Sequence, residues 1–398
     1  MTLLDSIIRA TAAADAGELS FSPTVPIILN SDDIFPTLKP ESESLTSLPI
    51  LPVSGWSIST TDSNIIKLTS KFSKTLKKKL KKSSHDRAEF LKLLNAFLQS
   101  IGDNLGLSFN PEVCSHHSFD FSRFAIEKVG FFIGREVAGL IIDVCVVLEL
   151  WELVETLIVH GLVGHLYAMN LVEKLVEHNQ ARLLCLCVKH ISDLRPSELL
   201  VILRFFLPPS DNNAYDSFVG VKKEWERQAL LAIEKATNNG VPKKAAILAK
   251  EASVLLMLAH DGFSYAELCL HYVFGSSDMD ALVLSSVISK LSGREILGLI
   301  RYFGKWLKKY ERFPEAVPCP QAKSVLSLSA CEDIPSLDSV VRALGLILDE
   351  HFSYLVLNSE FHDEMRALQK VVSDLASEAD ARGPVDAIVK HLKYQFLV

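Results

Sequence analysis

The chain has 398 residues, 48% of them apolar and 22% charged, which supplies enough hydrophobic surface for a large core and excludes disorder over the whole length. Its 41 basic side chains stand against 48 acidic ones, a net charge of −7 at pH 7. The longest apolar run, VAGLIIDVCVVLELWELV, is cut by Asp143, Glu149 and Glu152, and a spanning helix needs about 20 almost uncharged residues, so no membrane span is expected.

Residues 1–16 are expected to form a short amphipathic helix. They lack a basic start ahead of a clean apolar stretch, so neither a secretory signal nor a transit peptide is read there. Residues 17–60 are rich in Ser, Thr and Pro and have no helical period. They are expected to form an extended arm, docked through Ile27, Ile28, Leu29, Leu51 and Trp56.

The next segment, KLTSKFSKTLKKKLKK at 67–82, reverses the charge of the chain. The window 67–87 holds eight lysines and Arg87 against Asp86 alone, a local +8, so the rest of the chain carries −15. On a helix, Ile65, Leu68, Phe72, Leu76 and Leu80 make one apolar stripe. Lys67, Lys71, Lys74, Lys77, Lys78, Lys81 and Lys82 fall outside it, and Lys79 intrudes. Such a helix docks by its stripe and keeps its ammonium groups in water. Lys71, Lys74, Lys77, Lys78, Lys79, Lys81 and Lys82 are therefore candidates for an import signal or for contact with a nucleic-acid backbone. A membrane-surface or calmodulin-type helix, and a plain solvated face, use the same pattern.

From about residue 62 onward, apolar residues recur at helical spacing. Helices are expected over 62–82, 86–106, 120–135, 136–159, 163–178, 180–191, 196–207, 217–238, 241–260 and 263–273. More are expected over 278–291, 293–313, 337–358, 360–380 and 384–396. Pro196-Ser197-Glu198, Ser292-Gly293-Arg294-Glu295 and Pro335-Ser336-Leu337-Asp338 carry helix-start chemistry. Two connections read as long, 208–216 and 314–336. The expectation is all-α: an irregular α-solenoid or array of antiparallel helix pairs with an extended N-terminal arm. It divides into 1–60, a main array over 61–313, a connection over 314–336 and a C-terminal helical segment over 337–398. No fixed repeat period is legible.

A second basic patch, RYFGKWLKKYERF at 301–313, interleaves Arg301, Lys305, Lys308, Lys309 and Arg312 with Tyr302, Phe303, Trp306, Tyr310 and Phe313. Rings and cations together suit a single-stranded nucleic acid. Rings at helical spacing also suit a core, with lysine stems over its rim. Cys114, His116 and His117 have no second ligand pair at zinc spacing, and His160 and His165 are five apart rather than four. No metal, cofactor or catalytic residue is assigned, because phosphate-cradling, nucleophile-elbow and HExxH motifs are all absent. Seven cysteines, with Cys145, Cys185, Cys187 and Cys269 inside apolar helical patterns, fit reduced, buried thiols of the cytosol or nucleus.

One stretch carries a resemblance. In RLLCLCVKHISDLRPSELLVILRFFLPP, residues 182–209, an apolar helix ends in a short turn, Asp193 to Glu198 opens the next helix, and leucines follow. It resembles the helical C-terminal regions of nucleolar protein eleven and its fungal counterparts in the small-subunit processome. The chain as a whole looks like a plant-specific family of nucleolar proteins that assist small-subunit pre-rRNA processing. The resemblance implies a nuclear and nucleolar location and a non-catalytic scaffold. The partners it implies are other ribosome-biogenesis proteins and pre-rRNA, while the lysine segment itself suggests an import receptor, a polyanion or an acidic partner. The residues by themselves leave two other readings open. One is a cytosolic α-solenoid adaptor in trafficking or protein degradation. The other is an all-helical enzyme, which requires a pocket of clustered ionisable groups.

Overall fold

Three helix starts are built as their local chemistry dictates. The Glu295 carboxylate accepts from the Ser292 amide at 2.6 Å. Pro196 opens a helix whose Glu198 carboxylate accepts from the Arg195 amide. Ser336 Oγ accepts from the Ser339 amide at 3.1 Å. Each bond satisfies a donor that a helix N-terminus otherwise leaves orphaned.

The computed structural model describes residues 58–80, 86–107, 109, 118–207, 212–237, 242–276, 279–314, 316 and 318–396. The helix expected over 1–16 and nearly all of the arm over 17–60 lie outside them. The chain divides into two units, 1–58 and 59–398, and the account below concerns the second.

Among the described residues there are sixteen α-helices and no strand, so the chain is all-α. They are α1 Thr60–Leu80, α2 Arg87–Asn104, α3 Ser118–Val129, α4 Arg135–Val147, α5 Trp151–Val159, α6 His165–Glu177, α7 Ala181–His190 and α8 Pro196–Phe206. Then come α9 Asn212–Thr237, α10 Lys243–His260, α11 Tyr265–Gly275, α12 Ala281–Ile288, α13 Gly293–Arg312, α14 Gln321–Leu326, α15 Leu337–Leu357 and α16 His362–Phe396. Short 3₁₀ turns occupy Gly130–Phe132, Ser329–Asp333 and Ser359–Phe361. No helix among the described residues is long and apolar enough to cross a membrane.

The middle of the chain repeats. The helices α4, α6 and α8 begin at Arg135, His165 and Pro196, and their partners α5, α7 and α9 begin at Trp151, Ala181 and Asn212. The first helices pack in succession on one another, as do the second helices. The turns inside the first two hairpins are copies. The Leu150 amide bonds to the Cys145 carbonyl at 2.8 Å, and the Gln180 amide bonds to the Leu175 carbonyl at 2.8 Å. In each, the preceding residue is left-handed, Glu149 at φ 53° and Asn179 at φ 54°, which closes the helix C-terminus and frees the chain to turn back.

That turn overrides the single helix expected over 136–159. The break is made by an ordinary glutamate held left-handed, with no Gly or Pro to mark it, and the apolar period runs on through it. Similarly, α9 begins inside the connection expected over 208–216, and α16 continues past Pro384, where the sequence pattern suggested a fresh start. A proline removes one amide donor and strains the preceding turn, but it need not end a helix.

The segment 314–336, read from sequence as a connection, carries α14 and the second 3₁₀ turn. Cys319, Ala322, Leu326, Leu328, Cys331 and Ile334 are buried in it, and it packs on α10 and α11. Gly275 explains how closely it sits: a Cβ there would lie 2.3 Å from the Asp333 carbonyl oxygen. Helical turns this short lack a full apolar period, which is why the pattern hides them.

One buried histidine ties the aromatic part of this core. The carbonyl of Ala259, 2.9 Å from His271 Nε2, can only accept, so Nε2 carries the proton and Nδ1 accepts from the Tyr302 hydroxyl at 2.8 Å. Burial, assisted by Lys309 and opposed by the Ala259 bond, pushes the His271 pKa down to about 3. The unfolded chain takes up a proton near the ordinary histidine value of about 6.5, while the folded chain does not until about 3. This group therefore removes stability as pH falls below about 6.5. Urea unfolding of the wild type and of His271→Gln, which keeps a donor and an acceptor, is expected to show the wild type's advantage shrinking between pH 7 and pH 4.5. The buried Asp333 titrates in the same range but is common to both proteins. An advantage that stays constant over that range would show that His271 titrates alike in both states.

Candidate nucleic-acid interface

Ser59 starts α1: its Oγ accepts from the Asp62 amide at 3.0 Å. Asp62 in the first turn and Lys77, Lys78 and Lys79 in the last both match the helix dipole. Ile65, Phe72 and Leu76 are buried, as the apolar stripe required. The Phe72 ring stacks on Phe97 of α2 with centroids 4.1 Å apart, which fixes the roll of α1.

That roll decides where the lysines go. At about 100° per residue, Lys67, Lys71, Lys74 and Lys78 fall within an arc of about 60°, on the side opposite the buried stripe. All four are exposed. They form a row about 16 Å long, at about 1.5 Å per residue. Lys77 is exposed on the flank of this row. Lys79 is placed differently: it is half-buried and pairs with Glu89 of α2 at 2.6 Å, so it docks the helix. Lys81 and Lys82 lie outside the described residues.

Along its flank, α1 forms a groove of about 460 Å³ with the 130–134 turn and the start of α4. Lys74, Lys77, Ile66 and Phe132 line it. So does Thr69, whose buried Oγ1 has no partner among the described residues.

A second concavity, of about 280 Å³, lies where three successive inter-helix turns meet. The turn before α4 supplies Phe131, Ile133 and Arg135, the turn before α6 supplies His160, Gly161, Leu162, Gly164 and His165, and the turn before α8 supplies His190, Ser192 and Asp193. Gly161 is left-handed at φ 66°, and the next amide, of Leu162, bonds back to the Leu157 carbonyl at 2.9 Å. Gly134 and Gly164 cap α4 and α6 without a side-chain bond. Burial, with Lys189, Lys323 and His160 nearby, pushes the His190 pKa down, which favours its neutral form.

The sequence pattern gave no reason to group His160, His165 and His190. Their meeting follows from the repeat: His160 and His190 are 30 residues apart, as are Gly134 and Gly164. That spacing was the available signal. Cys114, His116 and His117 lie outside the described residues, and among the described residues no group of three or more His, Cys, Asp or Glu is arranged to hold a metal ion.

The second basic patch, on α13, divides between core and rim. Tyr302, Phe303, Trp306 and Tyr310 are buried. Arg301 pairs with Glu364 at 2.8 Å and Lys305 with Glu267 at 2.7 Å. Lys309 donates to the Asp261 carbonyl at 2.8 Å and lies over the Phe263 ring. What faces solvent freely is Lys308 together with Arg312, whose guanidinium lies over Phe313. Four of the five rings are thus turned away from any strand that approached these cations, and Phe313 alone of them is partly exposed, beside Arg312. No known protein family, curated protein or solved structure matches this chain.

Proposed function

We propose that this protein is a non-catalytic helical scaffold of small-subunit pre-rRNA processing in the nucleolus. It holds other ribosome-biogenesis proteins along its helical faces and contacts RNA, or an import receptor on the way, through the lysines of α1. The observation that carries the binding part is the row Lys67, Lys71, Lys74 and Lys78. These charges stand opposite the docked stripe, in water, on a chain otherwise strongly acidic. Fixed cations at that spacing release counterions from a phosphate backbone, which drives association and makes it depend on salt. The nucleolar part rests on the resemblance of residues 182–209.

The test changes Lys71, Lys74, Lys77 and Lys78 to Glu and leaves Lys79, which pairs with Glu89. The tagged wild type is expected in nucleoli, with pre-rRNA recovered alongside it. The variant is expected to disperse and to lose that RNA, with its circular dichroism unchanged. Identical distribution and identical RNA recovery in the two proteins would remove the assignment. A cytosolic wild type would favour an adaptor role outside the nucleus.

A further inference from the structure

We propose that the turn at Phe131 and Phe132 is the base-stacking part of a single-stranded RNA track, running from the lysine row of α1 into the histidine pocket. The proposal rests on the reading of α1 as an RNA contact and adds the form of RNA and the residues that select it.

Two phenylalanines stand side by side on this turn and neither is buried: Phe131 is 91% exposed and Phe132 is 43% exposed. Their rings meet edge to face with centroids 6.0 Å apart, so they prop each other upright. They also face two different concavities. Phe132 lines the groove that holds Lys74 and Lys77. Phe131 lines the pocket that holds Arg135. One short turn is therefore the shared wall of both, and the surface reads cation, ring, ring, cation in sequence.

A single strand of RNA alternates phosphate and base, and its bases splay onto aromatic faces while its phosphates seek cations. A duplex keeps its bases stacked inside and offers only phosphates and 2′-hydroxyls to such a surface. Rings that stand out from the surface between the α1 lysines and Arg135 suit the first and gain little from the second. The carboxylates of Glu136, in the groove, and Asp193, in the pocket, supply polar partners for 2′-hydroxyl and base-edge groups. An acidic peptide would satisfy the lysines but carries an aromatic ring only where its own sequence places one, whereas a single strand offers a base at every nucleotide.

Fluorescence anisotropy with a short labelled oligo-uridine, and with a duplex RNA of equal length, tests this. The wild type is expected to prefer the single strand. Phe131→Ala is expected to weaken single-strand binding about five-fold or more while leaving the salt dependence as it was. Lys74→Glu with Lys77→Glu is expected to lower affinity and flatten the salt dependence. Because Phe131 is exposed, its truncation should leave the melting curve unchanged. Undiminished binding by Phe131→Ala, or equal affinity for duplex, overturns the track but leaves α1 as a phosphate contact. If the wild type binds neither RNA and instead binds an acidic peptide, the reading of α1 falls with it.

Discussion

Lys189→Met is expected to cost about 3–5 kcal/mol of unfolding free energy at pH 7.5, measured by urea denaturation. Lys189 Nζ, on α7, lies 2.8 and 2.7 Å from the two carboxylate oxygens of Asp333, on the second 3₁₀ turn. Both groups are largely shielded, at 18% and 10% side-chain exposure. Burial pushes the Asp333 pKa up to about 6, and the nearby ammonium opposes that rise. A carboxyl whose folded pKa exceeds its unfolded value removes stability as pH rises through that window. Taking away Lys189 leaves the carboxyl buried without its counter-charge, so the penalty at pH 7.5 grows. The deficit should shrink at pH 5, where the folded carboxyl takes up a proton.

The double variant Lys189→Met with Asp333→Leu is expected to regain most of the loss, because a hydrophobic pair of similar volume needs no desolvation of charge. The same bridge clamps the 314–336 segment to α7, and Cys331 is buried in that turn. In the single variant its thiol should therefore react faster with an aromatic disulfide reagent. A double variant as unstable as the single one, with Cys331 equally reactive in both, would show that packing alone holds the segment.

Trp306→Ala is expected to cost about 3–5 kcal/mol, against less than about 0.5 kcal/mol for Lys308→Ala two residues away. Trp306 is 1% exposed. Its ring centroid lies 5.0 Å from Phe263, 5.1 Å from His271 and 5.6 Å from Tyr310. Truncation opens a cavity beneath α13, walled by rings that cannot collapse without breaking the His271 bonds to Tyr302 and Ala259. Thermal unfolding of the two variants decides it. A Trp306→Ala protein that melts with the wild type and loses RNA affinity would instead return these rings to a recognition surface.

Rings and cations coincide in two places, of which the sequence marked only the one on α13, and the structure gave them opposite settings. On α13 the apolar spacing of Phe303, Trp306 and Tyr310 was strong enough to imply burial, and they are buried. Phe131 and Phe132 fell inside the helix expected over 120–135, which in the structure ends at Val129, and nothing in the local pattern says which way the 3₁₀ turn that follows will face. Lys79 intruded on the apolar stripe and finds its reason in Glu89, ten residues away in the chain and beyond any i, i+4 rule.

The sequence by itself determined that this chain is helical, where most helices begin, that Cys145, Cys185, Cys187 and Cys269 are buried and where its positive charge is concentrated. These follow from periodicity, capping and composition, which act within one or two helical turns. Only the tertiary structure decided that the 30-residue repeat brings His160, His165 and His190 to one pocket. It alone placed 314–336 in the core and the Phe131 turn between a lysine groove and a histidine pocket. Those outcomes depend on how helices far apart in the chain stack. That stacking is set by the shape of whole apolar faces and by turns such as Glu149, whose left-handed backbone no residue type announces.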